Sequence, residues 1–282
     1  MAARVIRSIA ELRQVLSQAR RKGQTIGFVP TMGALHAGHA KLIDCAAGEA
    51  DCTVVSIFVN PIQFNDRGDY QRYPRDLNTD VALCELHGAQ IVFAPPVEEM
   101  YPEPQRTLVE VSGVTEHLCG KFRPGHFRGV ATVVMKLFGI VQPDRAYFGE
   151  KDAQQLRVIQ CMVRDLNVPV EVVGVPTVRE PDGLALSSRN QLLSAEERSA
   201  APALYRALRV AETSIANGMR DAGEIKRAAL AELDRPQIRV EYFEVVDPES
   251  MQPVERVEGS VRLLGAIWLG STRLIDNLLC SP

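Results

Sequence analysis

Residues 25–50, TIGFVPTMGALHAGHAKLIDCAAGEA, decide the fold. Thr25 to Pro30 is a short apolar run that ends in turn and polar residues, which predicts a buried strand, and His39 to Ala50 predicts a helix. The same succession recurs along the chain. Strands are expected at Thr53 to Asn60, Gln90 to Ala94, Ala146 to Gly149 and Val170 to Val175. Helices are expected at Asp76 to Gly88, Val130 to Val141 and Asp152 to Leu166, where Leu156, Ile159, Met162, Val163 and Leu166 share one face. Strand alternating with helix implies right-handed crossovers and a parallel sheet covered on both sides. Residues 1–178 should therefore form an open, doubly wound α/β domain with its ligand at the strands' carboxyl ends.

Beyond Val178 the pattern changes. Helical stretches at Ser194 to Asn217 and Asp221 to Asp234 precede strand-like Ile238 to Val246 and Val261 to Leu269, which predicts a smaller α+β domain over 179–282. The junction TVREPDGLALSSRN, residues 177–190, carries Pro181 and Gly183 among polar residues, as a hinge between domains would.

Composition narrows the function classes. In 282 residues, 46% hydrophobic and 24% charged describe an ordinary globular chain. The 32 Lys and Arg against 35 Asp and Glu leave a formal charge of −3, so bulk charge recruits neither nucleic acid nor an anionic membrane. Apolar runs such as Leu263 to Leu269 fall far short of the roughly 18 residues that cross a bilayer. The start MAARVIRSIAELRQ lacks the apolar segment of a secretory signal, and six scattered cysteines without a CxxC pair fit reduced thiols. A cytoplasmic protein is expected.

Candidate chemistry gathers at the ends of the predicted strands. PTMGALHAGH, residues 30–39, places His36, Gly38 and His39 at the entry to a helix, where backbone N–H groups and the positive dipole end favour an anion. Two imidazoles there could donate charge-assisted bonds to a phosphate in place of a Walker lysine. The residues alone equally allow one histidine to cap the helix while the other is solvated. A zinc site is the weaker reading, because His87, His117 and His126 show no ligand pattern.

SIFVNPIQF sets Asn60 and Gln63 just past a second strand; their amides suit a hydroxyl-bearing substrate, or they simply shape a turn around Pro61. AYFGEKDAQQ offers Lys151 to a polyphosphate and Asp152 as a helix cap, with Glu150 and Asp152 as candidates to lie near magnesium. LALSSRN puts Ser187, Ser188 and Arg189 on the junction loop, able to close over phosphates. KFRPGHFRG, with Lys121, Arg123, His126 and Arg128, is either an anion site or a solvated loop.

Together PTMGALHAGH, VSIFVNPIQF, RPGHFRGV, FGEKDAQQ, GLALSSRN and WLGSTRLIDN closely resemble the pantothenate synthetase family, the pantoate:β-alanine ligases of coenzyme A biosynthesis. The resemblance runs nearly end to end. It places the chain among the HxGH and KMSKS nucleotidyltransferases, with a Rossmann-like domain and LSSR, residues 186–189, in the KMSKS-like position. It implies a two-step reaction. Pantoate attacks the α-phosphate of ATP and releases pyrophosphate; β-alanine then attacks pantoyl adenylate and releases AMP.

By matching motif, the resemblance assigns ATP to Met32, Gly33, Ala34, Leu35, His36, Ala37, Gly38 and His39, with His39 as a proton donor. Gly149, Glu150, Lys151, Asp152, Val178, Leu186, Ser187, Ser188 and Arg189 would complete that site. His36, His39, Lys151 and Arg189 would be the catalytic group, and Gln63, Gln155 and Asn60 would hold pantoate and β-alanine. ATP with Mg2+ is expected as substrate, with no metal bound by the protein, no tightly bound organic cofactor, no nucleic acid or membrane partner, and a homodimer. The C-terminal domain would act as a lid that shields the adenylate from water. The competing classes are a nucleotidyltransferase that keeps the adenylyl group on its product and a silent nucleotide-binding module.

Overall fold

The computed structural model describes residues 2–65 and 67–282. Contacts divide the chain into two compact units.

The first unit holds residues 1–112, 122–150 and 155–176. Its sheet contains β1 (Arg4–Ile6), β2 (Ile26–Thr31), β3 (Cys52–Ile57), β4 (Ile91–Phe93), β5 (Arg145–Gly149) and β6 (Glu171–Val175). The strand order is β1-β4-β3-β2-β5-β6, and every pairing is parallel. This is the doubly wound α/β sheet expected from the alternating pattern. The order reverses between β2 and β5, so the ends of these neighbouring strands flank the crevice where such sheets bind ligands.

The strands pair because their residues suit burial on both faces: Ile26, Phe28 and Val29 of β2 and Val54 and Val55 of β3 are fully enclosed. Helices cover the faces for legible reasons. Ile9–Arg21 begins where the Ser8 hydroxyl accepts from Glu11 N–H, ends on Arg20 and Arg21, and buries Leu12, Leu16 and Ala19 along one stripe. His126–Val141 starts after Gly125 at φ +80° and buries most of its length. Gly129 in this helix lies against the turn at 61–63: a Cβ there would come within 2.6 Å of the Ile62 carbonyl and 2.7 Å of Gln63 Cα.

The second unit holds Gly113–Lys121, Lys151–Gln154 and Thr177–Pro282. Two short pieces that precede residue 177 belong to it because polar bonds tie them in. Gln154 Nε2 donates to the carbonyls of Val114 and His117, each at 2.9 Å, and Gln252 Nε2 donates to the Gly113 carbonyl at 2.9 Å. The antiparallel sheet β7 (Ile238–Val246), β8 (Val261–Leu269) and β9 (Thr272–Cys280) packs on helices Ala203–Ala216 and Ala222–Ala231. Leu204, Leu208, Ile215, Ile225, Phe243, Val245, Leu263 and Ile267 form that core.

The expected helix over Ser194 to Asn217 is instead two, Ala195–Ala200 and Ala203–Ala216. Pro202 separates them, because it lacks an N–H and its ring crowds the preceding turn. β9 is an addition to the expected pattern, joined to β8 by the two-residue turn Gly270-Ser271 with Gly270 at φ +53°.

Gly129→Ala should force the helix away from residues 61–63 and lower stability by about 1–3 kcal/mol, the usual cost of overpacking. Chemical denaturation checks this; an unchanged midpoint would contradict so close an approach.

Candidate active site

β2 runs into a turn with two consecutive left-handed residues, Gly33 at φ +82° and Ala34 at φ +52°. Three consecutive amides of the turn are held. Gly33 N–H donates to Thr31 Oγ1 at 3.2 Å, and that hydroxyl donates to the Ser56 carbonyl at 2.7 Å. Asp80, buried in the helix Leu77–Leu86, accepts from Ala34 N–H at 3.0 Å and Leu35 N–H at 2.7 Å. Burial pushes the Asp80 carboxyl above its usual value, while the two amides pull it down.

His36 is the N-cap of Ala37–Glu49. Its Nδ1 accepts from Gly38 N–H at 3.1 Å, and His39 Nδ1 accepts in return from His36 N–H at 3.3 Å. Both histidines therefore cap the helix, in a reciprocal capping box built from imidazoles. A ring nitrogen that accepts an N–H bond carries no proton, so each neutral ring holds its proton on Nε2. The ring centroids lie 4.2 Å apart. A Cβ on Gly38 would stand 2.8 Å from His36 Cε1, which explains glycine between the rings. The sequence reading offered the helix's backbone N–H groups to an anion, but Gly38 N–H is already engaged by His36. Gly38 N–H and His36 N–H are thus both spent within the cap, on His36 Nδ1 and His39 Nδ1.

Asn60 and Gln63 are 1% and 7% exposed, past the end of β3, with Pro61–Gln63 forming one tight turn. They serve both the turn and a polar chain. Tyr101 OH donates to Asn60 Oδ1 at 2.8 Å, and Asn60 Nδ2 donates to Gln63 Oε1 at 2.9 Å and to the Gly129 carbonyl at 3.2 Å. This orients the Gln63 amide so that Nε2 faces Met32 Sδ at 3.1 Å. A thioether is a weak acceptor, so a carboxylate or hydroxyl oxygen would be a better partner for that N–H.

His126 is buried beneath this turn. Arg123 donates to His126 Nε2 at 3.1 Å, which leaves His126 Nδ1 to donate to the Gln63 carbonyl at 2.9 Å. The basic segment at 121–129 thus braces Gln63 through these two residues.

β5 ends at Gly149, and a single 3₁₀ turn, Glu150–Asp152, leads directly into the helix Ala153–Asp165, with Gln155 half-buried in its first turn. Lys151 and Asp152 belong to the second unit, as do Val178 and Leu186 to Arg189. There, Leu186 N–H donates to the Val178 carbonyl at 3.0 Å, closing a narrow tongue that doubles back at Gly183, φ +91°. Arg179 spans the tongue by donating to the Gly183 carbonyl at 3.1 Å. Its guanidinium also makes a forked pair with buried Asp276, at 2.5 and 2.9 Å, and lies 4.2 Å over the Tyr205 ring.

The neighbouring Asn277 Nδ2 donates to the Lys151 carbonyl at 3.0 Å, and Asn277 Oδ1 receives Arg262 at 2.5 Å. Desolvation pulls the Lys151 ammonium below its usual value, and nearby Arg189 adds to this, while Asp152 and Asp276 oppose it. Ser187 Oγ accepts from Arg189 N–H at 3.2 Å and starts the turn Ser188–Leu192.

Asp80, Tyr101, Arg179 and Asp276 were not among the sequence candidates. Asp276 and Asn277 lie within WLGSTRLIDN, a stretch singled out only as part of the resemblance; nothing local marks Asp80 or Tyr101. Among the described residues no group of three or more His, Cys, Asp or Glu side chains is placed to hold a metal ion. A magnesium ion carried on a polyphosphate would take most of its ligands from phosphate and water.

The chain is similar over nearly its whole length to pantothenate synthetases of several bacteria. The pantothenate synthetase of Thermotoga petrophila is 52% identical, over 98% of this chain and 99% of its own, and that of Aquifex aeolicus is 53% identical over 97% of each. The crystal structure of the Thermus thermophilus pantothenate synthetase superposes with a TM-score of 0.93 at 51% identity, covering 98% of both chains. The pantoate-β-alanine ligase of Francisella tularensis, complexed with β-γ ATP and β-alanine, superposes with a TM-score of 0.83 at 35% identity, covering 99% of this chain and 98% of that one. The sequence profile described as Pantoate-beta-alanine ligase matches residues 4–279, and the chain belongs to that family.

Proposed function

We propose that this protein condenses (R)-pantoate with β-alanine at the expense of ATP, forming pantothenate, AMP and pyrophosphate through pantoyl adenylate. The observation that carries the reading is the reciprocal His36–His39 cap at the sheet's reversal point, in a chain of the ligase family.

In the first step a pantoate carboxylate oxygen forms a bond to the α-phosphorus as the bond to the pyrophosphate oxygen breaks. A carboxylate is already ionised at neutral pH, so this step needs positioning and charge stabilisation rather than a base. The Nε2–H groups of His36 and His39 supply directed donors, and Lys151, Ser187 and Arg189 supply positive charge and a hydroxyl to the phosphates. The turn Met32 to Leu35, with Ala37 and Gly38, the residues Gly149, Glu150 and Asp152, and Val178, Leu186 and Ser188 line the nucleotide's path in this reading.

Gln63, oriented by Asn60 and Tyr101, gives its Nε2–H to pantoate in exchange for the weak Met32 contact, and Gln155 joins it. In the second step the β-alanine amine attacks the acyl carbon, AMP leaves, and the amine loses its proton. ATP enters as its magnesium complex. All six cysteines are unpaired thiols, and no helix among the described residues is long and apolar enough to cross a membrane; both fit a cytoplasmic enzyme. The homodimer implied by the resemblance belongs to the same proposal and can be read by light scattering.

Mass spectrometry of the complete reaction should find pantothenate and AMP in equal amounts. An accumulating adenylylated end product without AMP would sink the ligase reading in favour of a nucleotidyltransferase. His39→Ala should lower kcat at least about tenfold with the fold retained, since a transition-state contact is typically worth a few kcal/mol; an unchanged rate removes His39 from the chemistry. Gln63→Ala should raise the pantoate KM more than the ATP KM, and the reverse pattern would refute the pantoate assignment.

A further inference from the structure

The turn that delivers His36 to its helix is held by a carboxylate from elsewhere in the chain. Asp80 is 3% exposed and reaches across 45 and 46 residues of sequence to the amides of Leu35 and Ala34. Each oxygen takes one amide: Oδ2 receives Ala34 N–H and Oδ1 receives Leu35 N–H. The arrangement is bidentate, as a deprotonated carboxylate allows and an amide side chain does not.

What it holds is otherwise unfavourable backbone. Ala34 sits at φ +52°, a region that side chains with a Cβ rarely enter. Its neighbour Gly33 is at φ +82°, and a Cβ there would stand 2.8 Å from Asp80 Oδ2, so only glycine leaves room for the carboxylate. The next amide after Leu35 is that of His36, which donates to His39 Nδ1 and so forms half of the reciprocal cap. The direction of the chain at residues 34 and 35 therefore sets where both rings stand. Burying a carboxylate is costly unless hydrogen bonds compensate, and here both compensating bonds go to this one turn.

We propose that Asp80 is a positioning residue of the active site: its carboxylate fixes Ala34 and Leu35 so that His36 and His39 meet in their reciprocal cap. The proposal rests on the ligase reading for its kinetic consequence, but not for its structural one.

The test begins with Asp80→Asn, which keeps size and removes one acceptor while turning an NH2 toward an amide donor. It should raise the ATP KM and lower kcat, together at least about tenfold in kcat/KM for ATP, while the pantoate KM stays within about threefold. Ala34→Gly added to Asp80→Asn should recover at least about threefold of that loss, because glycine adopts positive φ without the carboxylate's help. A merely structural role would give no such rescue, since glycine adds chain entropy to a weakened fold.

Asp80→Asn within twofold of the unsubstituted enzyme, or a double variant no better than the single one, would overturn the proposal. Amide hydrogen exchange on the unsubstituted protein tests it even if Asp80→Asn fails to fold. The Ala34 and Leu35 amides should exchange at least about a hundredfold more slowly than in an unstructured chain; exchange near unstructured rates would overturn it. If the unsubstituted protein forms no AMP, the ligase reading fails, while the exchange result still decides the role of Asp80.

Discussion

The mutual capping of His36 and His39 is the constraint on which the site depends. Each imidazole uses Nδ1 to satisfy an amide at the start of the helix Ala37–Glu49, and each is thereby left with its proton on Nε2. The same two bonds do three things. They end the exposed backbone donors of Gly38 and His36, they hold the rings 4.2 Å apart, and they aim each Nδ1 lone pair at a backbone amide. The spacing of the motif follows. Position 39 is the third residue of the helix, the one from which a side chain can reach back to the cap, and position 38 must lack a Cβ.

The rest of the first unit holds that turn in place. β2 and β3 pair in register from Ile26 with Cys52 to Thr31 with Ile57, so the two strands deliver the histidine turn and the Asn60–Gln63 turn side by side. The helix His126–Val141 presses on the second of these turns at Gly129, and His126 bonds its backbone. In the second unit, polar side chains of β8 and β9 are bound to one another and to the chain around them. Arg179 and Asp276 meet as a fork, and Asn277 links Arg262 to the backbone of Lys151. Removing one partner of such a buried pair would strand the other, which costs more than the pair itself contributes.

The doubly wound sheet was legible because β2 to β6 each have a mainly apolar centre and most of the helices between them are periodic; β7 and β8 match the expected ranges end to end. β1 was not, since three residues with two exposed give no pattern. β9 mixes Arg273, Asp276 and Asn277 with apolar residues, though Gly270-Ser271 after an apolar run is a hairpin signal that could have found it. In the site, motif residues at strand ends were legible because backbone direction alone places them. Asp80 and Tyr101 were not, because their partners lie 41 to 46 residues away and only tertiary packing brings them together. The tautomers of His36, His39 and His126 were equally hidden, being set by which backbone group each ring meets.

In the proposed reaction the site activates a carboxylate by adenylation. The direct measurement is exchange of labelled pyrophosphate into ATP, with magnesium present and β-alanine absent. Exchange that requires pantoate is the predicted result, since the first step is reversible and needs no amine. Absence of exchange by a protein that binds ATP, or exchange indifferent to pantoate, would contradict the account.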